Sequence, residues 1–326
     1  PSWGGMLNGL LTIRPVWNKV RHDPVVKFFV VGLTFYGMST FEGPMMSIKA
    51  VNLVSHFTDY TIGHVHSGAL GWVGGIVFAM TYYLVPKLWG RELYSPKLAD
   101  THFWLATIGI VLYITSMYAA GITQFNMWWA KTPEGLLKYP NFLETVLAIK
   151  WLYWIRLIGG LMYLVGILLC LYNVVMTMMA ADAKTEDETV RFVPEVEHKP
   201  TTFHEYLENK GVIFSVFILV AVAAGGIMEM IPTFAIESNV PTISAVKPYT
   251  ALELEGRDIY VREGCYNCHS QMVRTHVTES LRYGKRSYAG EFIYDRPFQW
   301  GSKRTGPDLH RLGGEVSGPL ALQPHD

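Results

Sequence analysis

Charged residues are scarce in this chain of 326 residues, and their signs balance. Only 17% of the residues are Asp, Glu, Lys or Arg, with 27 of each sign, whereas a soluble domain has about 25%. The shortage disfavours a soluble globular protein, and the zero net charge argues against a nucleic-acid partner. The chain has three cysteines, too few for a disulfide framework. Cys170 lies in an apolar run, where we expect it to act as a small buried hydrophobic residue.

Apolar and aromatic residues are abundant instead. Half of the chain is hydrophobic and 13% is aromatic, and several runs reach the roughly 20 apolar residues that a membrane-spanning helix needs. We predict helices because an open sheet cannot satisfy its backbone in lipid. The predicted spans are residues 25–54, 64–88, 103–128 and 146–179, followed by an anchor helix at 211–232.

The runs divide the chain into modules. Residues 1–24 are mixed, and Pro15 and Pro24 predict a loop with a short interfacial helix. Residues 1–180 form a first membrane module, 181–210 a polar linker, and 233–326 a small polar, turn-rich domain after the anchor helix. Because the chain starts at a proline and its tail fits no element, we expect it to be incomplete.

Two charged residues interrupt the apolar runs. Glu42 lies in the first span and Arg156 in the fourth. A charged group at membrane depth is costly, so its default interpretation is a functional or paired group. The alternative for Glu42 is a solvated position near the interface.

A short cysteine motif carries the most specific chemistry. Cys265 and Cys268 stand two residues apart and His269 follows at once, which is the attachment signature of a c-type haem. The two thiols add to the haem vinyl groups and the histidine reaches the iron. The alternative is a Cys-x-x-Cys redox pair beside an unrelated histidine.

A second histidine motif opens the second span. His64 and His66 are two residues apart, so on an α-helix they point about 160° apart and cannot chelate one ion. Each can bind a different haem iron; the alternative is a pair of interfacial histidines. Four glycines follow, and small residues let flat macrocycles or neighbouring helices approach closely. They are Gly68, Gly71, Gly74 and Gly75.

Lysines and arginines predict the orientation. Covalent haem attachment occurs outside the bacterial cytoplasmic membrane, so residues 233–326 should be periplasmic and the N-terminus cytoplasmic. The positive-inside rule agrees, with ten basic residues inside against three outside. The inside set is Arg14, Lys19, Arg21, Lys87, Arg91, Lys97, Lys184, Arg191, Lys199 and Lys210; the outside set is Lys49, Lys131 and Lys138.

Longer motifs resemble one enzyme family. Residues 36–44, 61–72 and 154–160 resemble the catalytic subunit of cbb3-type cytochrome c oxidases, which are haem–copper oxidases. Residues 247–260, the haem motif and residues 300–309 resemble the membrane-anchored monohaem cytochrome c subunit of the same complex. The chain therefore resembles the C-terminal part of subunit I joined to the N-terminal part of subunit II. The resemblance implies an all-α membrane fold that ends in a small α-helical cytochrome c domain.

The resemblance also implies roles for the residues of the membrane module. His64 would bind the iron of the high-spin haem b₃, where oxygen is reduced, and His66 the iron of the low-spin haem b. Glu42 would accept a hydrogen bond from His64. The family's copper B ligands lie on earlier helices, and we expect none of them in this chain.

In the cytochrome part, Cys265 and Cys268 would hold haem c and His269 its iron. Pro307 would accept the ring N–H of His269 through its carbonyl. Arg304 either meets a haem propionate or is a solvated surface arginine.

Three features depart from the family pattern. Trp129 stands where an arginine is expected to meet haem propionates, and the family's distal methionine of haem c lies beyond residue 326. Met272 is badly placed to replace that methionine. The tail after Gly314 also differs, and we suspect a frameshift there.

Three functions are compatible with these residues. The first is a component of a proton-translocating terminal oxidase, with cytochrome c as electron donor, oxygen as substrate and other oxidase subunits as partners in a bacterial inner membrane. The isolated chain would then be inactive. The second is a membrane-anchored cytochrome that only relays electrons. The third is a relative of nitric oxide reductase, which also combines His-x-His with a c-type cytochrome.

Overall fold

The computed structural model describes residues 2–180, 202–236, 242–301 and 303–312. These residues form α-helices and short 3₁₀ turns, and within them the only β-pairing is two isolated bridges. The predicted all-α membrane fold is confirmed. The α-helices are α1 Ser2–Ile13, α2 Pro24–Ser47, α3 Lys49–Ser55, α4 Asp59–His66, α5 Gly74–Leu88, α6 Pro96–Trp129, α7 Phe142–Met179, α8 Phe203–Glu208, α9 Gly211–Ala235, α10 Ala251–Arg262 and α11 Val277–Tyr283.

Five helical segments of the described chain are long and apolar enough to cross a membrane. They are α2, the continuous stretch Asp59–Leu88, α6, α7 and α9. Within Asp59–Leu88 a π-helical turn, Ser67–Val73, joins α4 to α5. A π-turn carries one extra residue per turn and is often found at functional sites.

The helices begin earlier than hydropathy alone predicts, because polar caps lie outside the apolar runs. Ser95 caps α6 by accepting from the Leu98 amide, and the helix begins at Pro96, seven residues before the predicted start. Asn141 and Glu144 form a capping box at the start of α7. The second span begins at Asp59, so His64 and His66 lie inside it rather than at its opening.

Two further boundaries differ from the predictions. The first span is not continuous, because the extended backbone of Ile48 separates α2 from α3. The fifth predicted span, α9, passes through Pro232 and ends at Ala235. A proline so close to the C-terminus removes only one intrahelical hydrogen bond, which the last turn tolerates.

The N-terminal segment is more helical than predicted. Helix α1 ends before a 3₁₀ turn at Arg14–Arg21 that contains Pro15. Helix α1 packs on α2, where the rings of Trp3 and Phe41 lie 5.9 Å apart between centroids.

Glycines bring the membrane helices together. A Cβ on Gly109 of α6 would lie 2.7 Å from the Gly159 carbonyl oxygen of α7, so these two backbones touch. A Cβ on Gly75 would lie 3.0 Å from the Cα of Gly32 in α2, and one on Gly71 would lie 2.5 Å from the Phe35 ring. These two glycines after the histidine pair therefore serve helix packing, which was one of the two alternatives considered above.

The described chain separates into two compact units. One contains residues 2–180 together with 255–287, 299–301 and 303–312; the other contains 202–236, 242–254 and 288–298. The haem motif thus belongs to the same unit as the first four spans, whereas a single domain was predicted for 233–326. Helix α8 lies in the predicted linker; the remainder of that linker, residues 181–201, and the tail after Gly314 lie outside the described residues.

Candidate functional site

A tight turn holds the Cys-x-x-Cys-His motif. Gly264 adopts a left-handed conformation (φ 71°), which a glycine accepts without strain, and it starts a 3₁₀ turn at Cys265–Asn267. The His269 amide donates to the Cys265 carbonyl at 3.0 Å. Both cysteines are free thiols. The turn therefore presents two thiols and an imidazole together, as haem attachment requires.

The His269 ring is fixed by the segment that follows Arg304. Its Nδ1 donates to the Pro307 carbonyl at 2.8 Å, because a carbonyl oxygen can only accept. This leaves Nε2 as the free ligand atom. Gly306 lies directly against the ring, since a Cβ there would stand 2.8 Å from Nδ1 and 2.9 Å from Nε2. The residues present thus fit a haem c iron.

Arg304 lies beneath this turn and is only 1% exposed. Its guanidinium donates to Ser270 Oγ at 2.6 Å, to Glu279 Oε1 at 2.8 Å and to the Met272 carbonyl at 3.1 Å. It also lies 3.6 Å from Asp308. The expectation of a solvated surface arginine is therefore wrong. Sequence reasoning missed this cluster because its members are far apart along the chain.

Burial and charge act against each other in the cluster. Burial opposes the charged guanidinium, but Glu279, Tyr283 and Asp308 outweigh it, so the pKa of Arg304 is raised above its usual value.

At His56, burial and the neighbouring charges shift the pKa in the same direction. Burial, and then the charges of nearby arginines, lower the pKa of His56 to about 4, so this histidine is neutral at pH 7.

The haem-motif segment contacts loops at one end of the four-helix bundle. The Arg304 amide donates to the Phe57 carbonyl at 2.8 Å, and the guanidinium lies 4.5 Å from the Phe57 ring centroid. Phe57 has φ 67°, which is rare for a residue with a Cβ. Arg282 donates to the carbonyls of Tyr139 and Pro140 at 2.8 and 2.9 Å.

His64 is held by a buried carboxylate. Its Nδ1 lies 3.1 Å from Glu42 Oε2, which also accepts from the Tyr118 hydroxyl at 2.8 Å. Glu42 is 8% exposed, so it is not the solvated interfacial group considered as an alternative. The Nε2 atom of His64 remains available for a metal.

His66 is oriented by its own helix. Its Nδ1 donates to the Ile62 carbonyl at 2.8 Å, and its ring stacks on Tyr113 with 4.6 Å between centroids. The Tyr113 hydroxyl is 3.4 Å from Nε2. The three candidate ligands, His64, His66 and His269, therefore share one feature, in which Nδ1 is bound to a protein acceptor and Nε2 is the remaining ligand atom; at His66 that atom contacts the Tyr113 hydroxyl. This arrangement is typical of haem and metal ligands.

A buried polar network lies between the histidine helix and the haem motif. Asp59, 1% exposed, accepts from the Tyr153 hydroxyl at 2.7 Å and from Gln124 Nε2 at 3.1 Å, and lies 3.9 Å from Lys303 Nζ. Sequence reasoning missed it; an aspartate just before the His-x-His motif was the available signal.

One expected propionate-binding position has another neighbour. Trp129, which replaces an expected arginine, packs against the His276 ring at 4.9 Å between centroids. In the described part of the chain, no group of three His, Cys, Asp or Glu side chains is arranged to hold a metal ion.

Two family models match this chain in succession. Residues 1–162 match the family described as Cytochrome C and Quinol oxidase polypeptide I, and residues 204–321 match Cytochrome C oxidase, mono-heme subunit/FixO. The second match supports part of the predicted joining of two subunits.

Curated relatives resemble the first part of the chain. A cytochrome c oxidase subunit 1 homolog of Agrobacterium tumefaciens is 58% identical over 180 residues, 55% of this chain and 33% of the relative. The cbb3-type cytochrome c oxidase subunit CcoN1 of Stutzerimonas stutzeri is 54% identical over 182 residues, 56% of this chain and 38% of the relative. A nitric oxide reductase polypeptide of the same species is 28% identical over 174 residues, 50% of this chain and 36% of the relative.

The chain spans about a third of the length of the oxidase relatives it matches. The predicted relationship of the first part of the chain to subunit I of cbb3-type oxidases is confirmed. This part is homologous to cytochrome c oxidase subunit 1 proteins, including a cbb3-type subunit.

Proposed function

We propose that this chain is the part of a proton-translocating terminal oxidase that accepts electrons from cytochrome c at haem c and delivers them to haems b and b₃, where oxygen is reduced to water. The observation that carries the proposal is the shared arrangement of His64, His66 and His269. Each ring is fixed through Nδ1 by a protein acceptor, which leaves Nε2 as the atom that would bind iron. The haems would supply the redox-active iron, and the chain supplies its ligands and their surroundings.

At the haem c site, the protein attaches and orients the group. Cys265 and Cys268 would form the two covalent links, and His269 would be an iron ligand. The Pro307 carbonyl keeps the proton on Nδ1 of His269, so Nε2 keeps its lone pair.

At the membrane sites, the two histidines have different acceptors. Glu42 is an ionisable acceptor for His64, so it can increase the basicity of that ligand as well as orient it. His66 binds a backbone carbonyl, which orients the ring without a charge. This difference supports the assignment of His64 to haem b₃, where oxygen reacts, and of His66 to the low-spin haem b.

The proposal includes a location and partners. The protein would be a multi-pass component of a bacterial cytoplasmic membrane, with the haem c segment periplasmic and the N-terminus cytoplasmic. It would assemble with other oxidase subunits, including the groups that hold copper B. The positive-inside distribution supports this orientation.

Two other functions lead to different experimental results. An electron-relay protein would bind haem c and lack b-type haem at His64 and His66. A nitric oxide reductase relative would bind both and consume nitric oxide. The identities favour the oxidase, since the cbb3-type relative shares 54% of aligned residues and the nitric oxide reductase 28%.

The test is to purify the chain from its native membranes with its bound subunits and to measure oxygen uptake with reduced cytochrome c. We expect uptake by the wild type, none by His64→Ala or His66→Ala, and normal uptake by His22→Ala, because His22 is exposed and outside the spans. Uptake of nitric oxide without oxygen uptake would contradict the proposal, as would full oxygen uptake by both haem-ligand variants.

A further inference from the structure

Asp59 is a buried carboxylate that hydrogen bonds attach to α6 and α7. Its side chain is 1% exposed. The Gln124 amide oxygen accepts from the Asp59 backbone N–H at 2.7 Å, and the Gln124 amide nitrogen donates to Asp59 Oδ2 at 3.1 Å. The Tyr153 hydroxyl donates to the same Oδ2 at 2.7 Å. The donors from α6 and α7 therefore orient this carboxylate, although it is not a candidate haem ligand.

The other carboxylate oxygen of Asp59 faces a lysine at the surface. Asp59 Oδ1 lies 3.9 Å from Lys303 Nζ, which is longer than a direct hydrogen bond. The Lys303 side chain is 18% exposed against 1% for Asp59, so Lys303 marks the place where the buried network reaches the solvent. In the proposed orientation this end of the bundle is periplasmic. The positive charge of Lys303 repels a proton on Asp59 toward the solvent, and it also repels protons that approach from the solvent.

The inner side of the network leads toward the histidine helix. The Tyr153 ring centroid lies 5.2 Å from the Arg156 guanidinium carbon, which also lies 5.8 Å from the Tyr113 ring centroid. Tyr113 in turn stacks on the His66 ring. A chain of contacts therefore runs from His66 to Asp59, and the Tyr153 hydroxyl is its last group before the carboxylate.

We propose that Asp59 carries the translocated proton on its way out of the membrane module and releases it to the periplasm beside Lys303. This inference rests on the proposed function, because it names the group that performs the outward step of proton translocation. A carboxylate suits this step, since it can accept a proton on one oxygen and donate one when it is protonated. An ionisable side chain in a membrane-spanning segment is a functional group by default, and haem ligation gives Asp59 no other role.

Protons balance at each step of this transfer. The Tyr153 hydroxyl passes its proton to Asp59 Oδ2 and takes one from water on its inner side, so the tyrosine stays neutral. The protonated carboxyl group then turns its O–H toward Lys303 and loses the proton to water at the surface, which restores the carboxylate. No electron moves, so the transfer needs no oxidant. The charge of Lys303 favours release over return, and this gives the transfer its direction.

The test uses the chain purified with its bound subunits and reconstituted into phosphatidylcholine vesicles, with valinomycin and potassium to remove the membrane potential. Reduced cytochrome c is added outside, and oxygen uptake and acidification of the outer medium are measured in the same sample. The reduction of oxygen to water only consumes protons, so acidification outside reports translocated protons alone.

Asp59→Asn should keep oxygen uptake and lose the acidification. The Asn carbonyl oxygen still accepts from Gln124 and Tyr153, but the amide cannot take up the proton. Asp59→Glu keeps an ionisable group and should restore part of the acidification. Asp258→Asn is the matched control, because it removes a carboxylate whose side chain is 67% exposed, and it should change neither measurement.

Acidification by Asp59→Asn in the wild-type ratio to oxygen uptake would overturn the inference. If this variant also loses oxygen uptake, Tyr153→Phe decides the question, because it removes the donating hydroxyl and leaves the carboxylate in place. Tyr153→Phe must keep oxygen uptake with reduced acidification; full acidification or a loss of uptake there overturns the inference. A wild-type protein without oxygen uptake would refute the proposed function, and uptake without acidification would refute its proton-translocating part, which are separate results.

Discussion

The buried Arg304 cluster gives the most quantitative prediction. Arg304→Met keeps an unbranched side chain that reaches toward Phe57 and Tyr283 but lacks the guanidinium, whose carbon lies 4.5 and 4.9 Å from the centroids of those rings. The substitution removes the charge that faces Glu279 and Asp308, 6% and 4% exposed.

The expected destabilisation is large. Removing one partner of a buried ion pair leaves the other charge uncompensated, at a cost of about 3–5 kcal/mol. We expect the free energy of local opening of residues 268–284 to fall by that amount. Adding Glu279→Gln, which removes one of the two unpaired carboxylates, should restore about 1–3 kcal/mol.

Native-state hydrogen exchange measures this quantity, because protected amides report the free energy of local opening. Arg262→Gln is the control, since its side chain is 70% exposed and pairs, among the described residues, only with its neighbour Glu263. We expect a change of less than about 0.5 kcal/mol there. The reasoning is refuted if Arg304→Met changes the opening free energy by less than about 1 kcal/mol, or if the double variant is no more stable than the single one.

Three other perturbations have defined outcomes. The folded-state pKa of His56 is about 4, below the usual 6.5, so the open state takes up a proton first as the pH falls. The stability present above pH 6.5 should therefore decrease by about 2 kcal/mol toward pH 5, and His56→Gln should remove this pH dependence in hydrogen exchange. Gly306→Ala should displace the His269 ring and alter the ferric haem c spectrum, whereas Gly256→Ala, with nothing within 4 Å of the new Cβ, should not; equal spectra would contradict the site geometry. Glu42→Gln keeps a hydrogen-bond acceptor without the charge, so it should retain b-type haem and raise the midpoint potential of haem b₃, whereas Glu42→Ala should weaken the binding of that haem; loss of haem from both variants would refute a tuning role.

The sequence was sufficient for the features that depend on local pattern. Hydropathy located each membrane span because a membrane-spanning helix needs about 20 mostly apolar residues, whatever their sequence. The turn of Cys265, Cys268 and His269 was also predictable, since its two attachment cysteines and one ligand histidine lie within five residues and need no distant partner. The pairing of Glu42 with His64 followed from the family resemblance, and the two atoms lie 3.1 Å apart.

Features that depend on distant contacts were not predictable. Arg304 looks like an exposed residue because its acidic partner Glu279 is 25 residues away and its aromatic partner Phe57 lies in another module. Helix starts were misplaced for a related reason: caps such as Ser95 are polar, so hydropathy excludes them although they fix the first turn. The grouping of the haem motif with the membrane helices likewise arises from side-chain contacts across the fold.

The central claim is that this one chain presents ligands for both c-type and b-type haem. The direct measurement is the pyridine haemochrome spectrum of the wild-type protein purified from its native membranes, before and after extraction with acidified acetone, which removes only non-covalent haem. We predict a c-type signal that stays with the chain and a b-type signal that is extracted. A chain that carries no covalent haem, or that carries haem c with no b-type haem in any preparation, would contradict the account.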